Sequence, residues 1–208
     1  MSSLINEKDL FNSLDNLSTD KKVLVVGDIG IDKYIYGEVD RISPEAPVQV
    51  INVCNESMVL GGAGNVINNL KVLGSNVDVI GVIGNDENAI KLKDLLISIN
   101  VDTKYLITED NRITSKKSRV IASQQQVVRY DHESINEISR TSQKLILETF
   151  KKIRPILYKG SGTLKIGMMG FYPGKKNRKR LDIAIAVLYK LVSINWTLSP
   201  GIPINLLI

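Results

Sequence analysis

The 208-residue chain has one cysteine, Cys54, and one histidine, His132. A single thiol excludes an internal disulfide framework and fits a reducing compartment, so the cytoplasm is the expected location. A single imidazole with no cysteine beside it excludes the usual zinc-ligand spacings, and no metal site is expected. Aromatic residues make up 5% of the chain, with one tryptophan. Without aromatic interleaving, the basic segments do not read as a nucleic-acid surface. Long apolar runs are also missing. The longest, residues 181–194, is interrupted by Asp182 and Lys190 and is too short to span a bilayer. The N-terminus has no apolar run behind a basic head, so no secretory leader is expected. Acidic residues nearly vanish from the last quarter. Residues 1–159 hold 20 basic and 21 acidic side chains, whereas residues 160–208 hold seven basic ones and a single acid, Asp182. The net charge of +5 therefore belongs to the end of the chain, which divides into two unlike parts.

What is present is ordinary for a globular protein, 43% hydrophobic and 24% charged, with length for one domain or one plus an appendage. The most informative stretch is Gly61-Gly62-Ala63-Gly64-Asn65. Three glycines in four residues allow a tight turn and a close approach by a ligand. Val66, Leu70 and Leu73 follow at helical spacing, so the turn opens a helix whose first N–H groups face whatever binds there. Asn65 offers both an amide donor and a carbonyl acceptor, which suits a ligand rich in hydroxyls. A tight strand-to-helix turn with no ligand accounts for the glycines equally simply.

Residues 6–17 read as a short amphipathic helix. Lys22-Val-Leu-Val-Val-Gly27 then reads as a buried first strand of a parallel sheet. Asp28 and Asp32 follow at its carboxyl end, where open α/β sheets bind ligands. They are candidate ligand contacts or simply solvated turn acids. Residues 33–54 and 112–130 read as two β excursions, the first punctuated by Pro44 and Pro47. Between them, residues 77–83 read as a strand and Ala89, Leu92, Leu96 and Ile99 as one face of a helix. The second excursion concentrates Lys116, Lys117, Arg119 and Arg129, a candidate anion clasp or a solvated sheet face. Ser134-Ile-Asn-Glu137 has the form of a capping box opening a helix through about Ile153. Beyond residue 155 no strand period is apparent, and a helix over 181–194 is the one regular element suggested. Alternating strands and helices predict an α/β layered domain.

Val25-Val-Gly-Asp28, Asp32, Arg41-Ile-Ser-Pro-Glu-Ala-Pro47 and Gly61-Gly62-Ala-Gly-Asn65 resemble the ribokinase-like (PfkB) carbohydrate kinases, specifically the bacterial heptose 7-phosphate kinases. The resemblance runs from about Lys21 to Glu133. It implies a ribokinase-like three-layer α/β/α sandwich with a small β lid formed by 33–54 and 112–130, the two paired as an antiparallel lid. It implies a small-molecule sugar phosphate as partner, a homodimer through the lid, and ATP with Mg²⁺ as cofactors, without nucleic acid or membrane. By motif position Asp32 holds sugar hydroxyls, Gly61, Gly62 and Asn65 form the cradle, and Arg41, Lys117, Arg119 and Arg129 are candidates for the phosphate. The family reaction moves the ATP γ-phosphoryl to the anomeric hydroxyl.

The chain also departs from the family. The Gly-Ala-Gly-Asp turn that carries the family's catalytic aspartate does not occur, so no catalytic residue is assigned. The carboxylates after Asp131, namely Glu133, Glu137, Glu148 and Asp182, have no glycine turn beside them in sequence. Gly30 stands where relatives carry a larger residue. The expected organisation is a sugar-binding part over 1–155 and an atypical basic tail over 156–208 on a truncated kinase. A non-catalytic sugar-phosphate-binding or dimerising remnant, a kinase for another sugar, and a dehydrogenase-type nucleotide binder remain alternatives.

Overall fold

The computed structural model describes residues 22–157, 165–169 and 205–207. The helices expected over 6–17 and 181–194 and the basic run at 175–180 lie outside these residues. The described chain builds two sheets. The first has five parallel strands: β1 (Lys22–Gly27), β4 (Asn76–Gly84), β5 (Leu106–Glu109), β8 (Lys165–Met169) and β9 (Asn205–Leu207), in the order β5-β4-β1-β8-β9. The second has four: β2 (Ile29–Ile42), β3 (Gln49–Gly62), β6 (Ser115–Ala122) and β7 (Gln125–His132), in the order β3-β2-β6-β7.

The core follows from strand alternation. Val25, Val77, Val79 and Ile83 face α1 (Ala63–Val72) and α2 (Glu87–Ser98), where Ala63, Ile67, Ala89, Leu92 and Leu96 are buried. Leu24 and Ile80 face the other way, onto Ile146, Phe150 and Ile153 of α3 (Arg140–Leu157). Helices on both faces of a parallel sheet make the three-layer α/β fold, and successive residues of β1 serve opposite layers. Burying each such side chain contributes about 1.5–3 kcal/mol. Ile29, Ile31 and Leu60 of the second sheet join the first of these clusters, so the lid is rooted in the core.

Four expectations need correction. The two β excursions do share one sheet, but their junction is parallel: β2 runs alongside β6 from Gly30↔Ser115 to Gly37↔Ala122, while β2–β3 and β6–β7 are antiparallel. The buried face of α1 is Ala63, Gly64 and Ile67, with Leu70 packed against the core, whereas Leu73, just past the helix, is 63% exposed. Ser134 does not open α3. Its hydroxyl accepts from the Ile113 amide at 2.8 Å, and Ser139 supplies the cap by accepting from the Ser142 amide at 3.1 Å. Strands also exist beyond residue 155. β8 lies directly beside β1, Leu24 opposite Ile166, and Ile-Gly-Met-Met is a short apolar run of the kind a central parallel strand uses.

Candidate functional site

The site forms where the chain leaves the main sheet for the lid. β1 ends at Gly27 and β2 begins at Ile29, so Asp28 is the one residue between the sheets. β3 returns antiparallel to β2 and ends at Gly61 and Gly62, beside Gly30 and Ile29 respectively. Gly62 then caps α1 with φ 59° and ψ −129°, a backbone conformation that only glycine adopts without strain. A Cβ there would stand 2.5 Å from the Asp28 carbonyl oxygen. That same carbonyl accepts the Ala63 amide at 2.8 Å, so one of the N–H groups at the helix start is engaged by the protein itself.

A narrow cleft of about 60 Å³ opens here, lined by Asp28, Gly30, Asp32, Gly61, Gly62, Ser115, Lys117 and Glu133 among others. Asp32 lies over Gly61; a Cβ on that glycine would meet Asp32 Cγ at 3.0 Å and Oδ2 at 3.1 Å. Gly30 is also fixed by close approach. A Cβ there would stand 2.5 Å from the Ser115 carbonyl oxygen, so β2 and β6 are too close for a side chain at that point.

Across the lid the residues form rows. Val59, Asp32, Lys117 and Asp131 are register partners in one row, and Ser57, Tyr34, Arg119 and Arg129 in the next on the same face. Lys116 belongs to the opposite face, because side chains alternate along a strand. Each of the three candidate cations on the cleft face is ion-paired. The Arg119 guanidinium donates to Asp32 Oδ1 at 2.7 Å and lies 5.4 Å from the Tyr34 ring centroid. Lys117 reaches Glu133 at 3.2 Å and Asp131 at 3.7 Å, and Arg129 reaches Asp131 at 3.2 Å. The hydrogen bond to Asp32 pushes the Arg119 guanidinium further up from its already high pKa.

The structure thus brings together Asp32, Gly61, Gly62, Lys117 and Arg119, with Arg129 one strand further out. Asn65 and Arg41 are not among the residues lining the cleft. Asn65 is exposed in the first turn of α1. Arg41 pairs with Val50 near the distal end of β2, nine residues from Asp32, or on the order of 30 Å along an extended strand. Glu133 corrects the sequence reading in the other direction. It has no glycine turn beside it in sequence, yet it lines the cleft with Gly61 and Gly62. Only the fold reveals this, since β7 carries it back from the far side of the lid.

The cleft presents three carboxylates, Asp28, Asp32 and Glu133, and one ammonium, Lys117. That set of groups suits hydroxyls, which donate to carboxylates, and does not fit a nucleoside triphosphate, which carboxylates repel. Among the described residues no group of three or more His, Cys, Asp or Glu is placed to hold a metal ion. No described helix is long and apolar enough to cross a membrane.

The chain has relatives among known proteins. The sequence profile of the pfkB family carbohydrate kinases matches residues 20–165. The bifunctional protein HldE of Aliarcobacter butzleri is 61% identical over 136 residues, which is 65% of this chain and 29% of that protein. The bifunctional protein HldE of Sulfurimonas denitrificans is 53% identical over 131 residues, 63% of this chain and 28% of that protein. The chain therefore spans well under a third of the length of these relatives. Among solved structures, Sa239 superposes with a TM-score of 0.54 at 16% identity, over 80% of this chain and 52% of that one.

Proposed function

This chain belongs to the pfkB family of carbohydrate kinases, and we propose that the cleft at Asp32 is its sugar site, with a heptose 7-phosphate as the sugar. In this reading Asp32 accepts hydrogen bonds from sugar hydroxyls, and the bare backbone of Gly61 and Gly62 lets the ring come close. Lys117 and Arg129, which share Asp131, are the cations for the phosphate. The observation that carries the reading is the position of Asp32, its carboxylate over Gly61 at the wall of a cleft with cations on the same lid face. Charge-assisted bonds of this type contribute about 1.5–3 kcal/mol each. In the intact family reaction the ATP γ-phosphoryl passes to C1 of the sugar, giving the 1,7-bisphosphate used in making the heptose units of lipopolysaccharide. The residues of this cleft do not fit the nucleotide, and no step is assigned to them beyond holding the sugar.

Heptose 7-phosphate should raise the melting temperature of the chain, and Asp32→Ala should remove that rise; the unliganded melting temperature should itself fall, because Arg119 loses its partner. An unchanged rise in Asp32→Ala would place the sugar elsewhere. A second reading rests on the sequence: the chain has no Gly-Ala-Gly-Asp turn, so the 208 residues bind the sugar without turning it over. ATP consumption dependent on heptose 7-phosphate in the purified chain would overturn that second reading. Exposed Ile42, Val48 and Val53 on the lid support pairing of two copies through it. Sedimentation showing a monomer at micromolar concentration would remove the pairing.

A further inference from the structure

We infer that Arg119 is a positioning residue, which holds the Asp32 carboxylate in the orientation that meets the sugar and leaves the phosphate to other cations. The inference rests on the reading of the cleft as a sugar site. Its basis is the division of the Asp32 carboxylate. Oδ1 accepts from Arg119 Nη1 at 2.7 Å, and Oδ2 lies over Gly61, 3.1 Å from where a Cβ would stand. One oxygen is engaged by the guanidinium, and the other lies at the cleft wall. The register makes this a diagonal contact, because Arg119 sits opposite Tyr34, two residues further along β2 than Asp32.

Arg119 is held on several sides. Its side chain is 19% exposed, as is that of Asp32, and the guanidinium packs over Tyr34. Arg129, its neighbour on β7, is 48% exposed and retains the freedom to meet an arriving anion. If Arg119 left Asp32 for a phosphate, it would abandon a largely covered carboxylate beside two others, Asp28 and Glu133. Removing one partner of a covered ion pair is strongly unfavourable. The pair therefore acts as a unit, and the phosphate meets Lys117 and Arg129.

The test titrates heptose 7-phosphate and unphosphorylated heptose into the wild-type chain, Arg119→Gln, Arg129→Gln, Asp32→Asn and the Asp32→Asn/Arg119→Gln double variant, by calorimetry. A positioning role predicts that Arg119→Gln weakens both sugars by the same factor, about 10-fold, and costs nothing further in the Asp32→Asn background. Arg129→Gln should weaken the phosphorylated sugar alone. A loss confined to the phosphorylated sugar in Arg119→Gln would overturn the inference and make Arg119 a phosphate ligand, and a loss that adds to that of Asp32→Asn would overturn it by showing that Arg119 acts apart from Asp32. Arg119→Lys keeps the charge should the Gln variant fail to fold. It should lose affinity for both sugars equally, and a loss for the phosphorylated sugar alone would again overturn the assignment. Wild-type protein binding neither sugar would remove the cleft reading itself, an outcome separate from any pattern among the variants.

Discussion

The carboxylate of Asp86 bonds in two directions at once: Oδ1 accepts the Ala89 amide at 2.8 Å and caps α2, while Oδ2 accepts the Thr114 amide at 2.8 Å. Thr114 in turn accepts the Gly84 amide through its hydroxyl at 2.9 Å, and it is 1% exposed. One side chain thus ties the carboxyl end of β4 and the start of α2 to the segment entering β6. Asp86→Ala should cost about 1–3 kcal/mol in urea unfolding, the loss of a helix cap together with an orphaned amide. Asp86→Asn, which still caps, should cost less. A loss below about 0.5 kcal/mol in Asp86→Ala would show that the lid is not anchored there.

Gly61 and Gly62 should fail differently. Gly62 has a positive φ and faces the Asp28 carbonyl, so Gly62→Ala should lower stability by at least about 2 kcal/mol. Gly61 has no positive φ, and a Cβ there would meet Asp32 alone, its Cγ and Oδ2 at 3.0 and 3.1 Å and its backbone nitrogen at 3.2 Å, all milder than the 2.5 Å contact at Gly62. Gly61→Ala should therefore cost less stability than Gly62→Ala and weaken sugar binding about 10-fold. Equal destabilisation in both variants would contradict the geometry.

Acid should remove a stabilising contribution at Glu109. Burial raises its pKa, but hydrogen bonds from Ser142, Arg112 and Ser139 outweigh that and bring it to about 2. Arg112 donates to it at 2.7 Å and the Ser139 amide at 2.8 Å. A carboxyl with a depressed folded pKa contributes stability that is full above its unfolded value and is lost as pH falls through the folded one. The contribution, at most about 3 kcal/mol, should fade between pH 4.5 and pH 2. Glu109→Gln should flatten the stability profile in that window, and an unchanged profile would show that the contact is inert.

The main sheet was legible because its strands are continuous apolar runs, and α2 because Ala89, Leu92 and Leu96 fall on one face. Asp32 and the glycines were legible as a motif. What the sequence did not show was pairing. Nothing local reveals that β2 lies parallel to β6, which puts Arg119 within reach of Asp32 across 87 residues. The β6–β7 turn was hidden as well, since Ser123 and Gln124 take φ of 49° and 66° without the Asn or Gly that usually marks such a turn. The Lys116–Lys117 cluster looked like one patch in sequence and is divided between two faces by strand alternation.

The central claim, that Asp32 over Gly61 is the sugar contact, is tested most directly by calorimetric titration of heptose 7-phosphate into the wild-type chain and Asp32→Ala. Loss of one charge-assisted bond of about 1.5–3 kcal/mol predicts a dissociation constant at least about 10-fold weaker in the variant. The circular dichroism spectrum should stay unchanged. Equal dissociation constants for the two proteins would contradict the account.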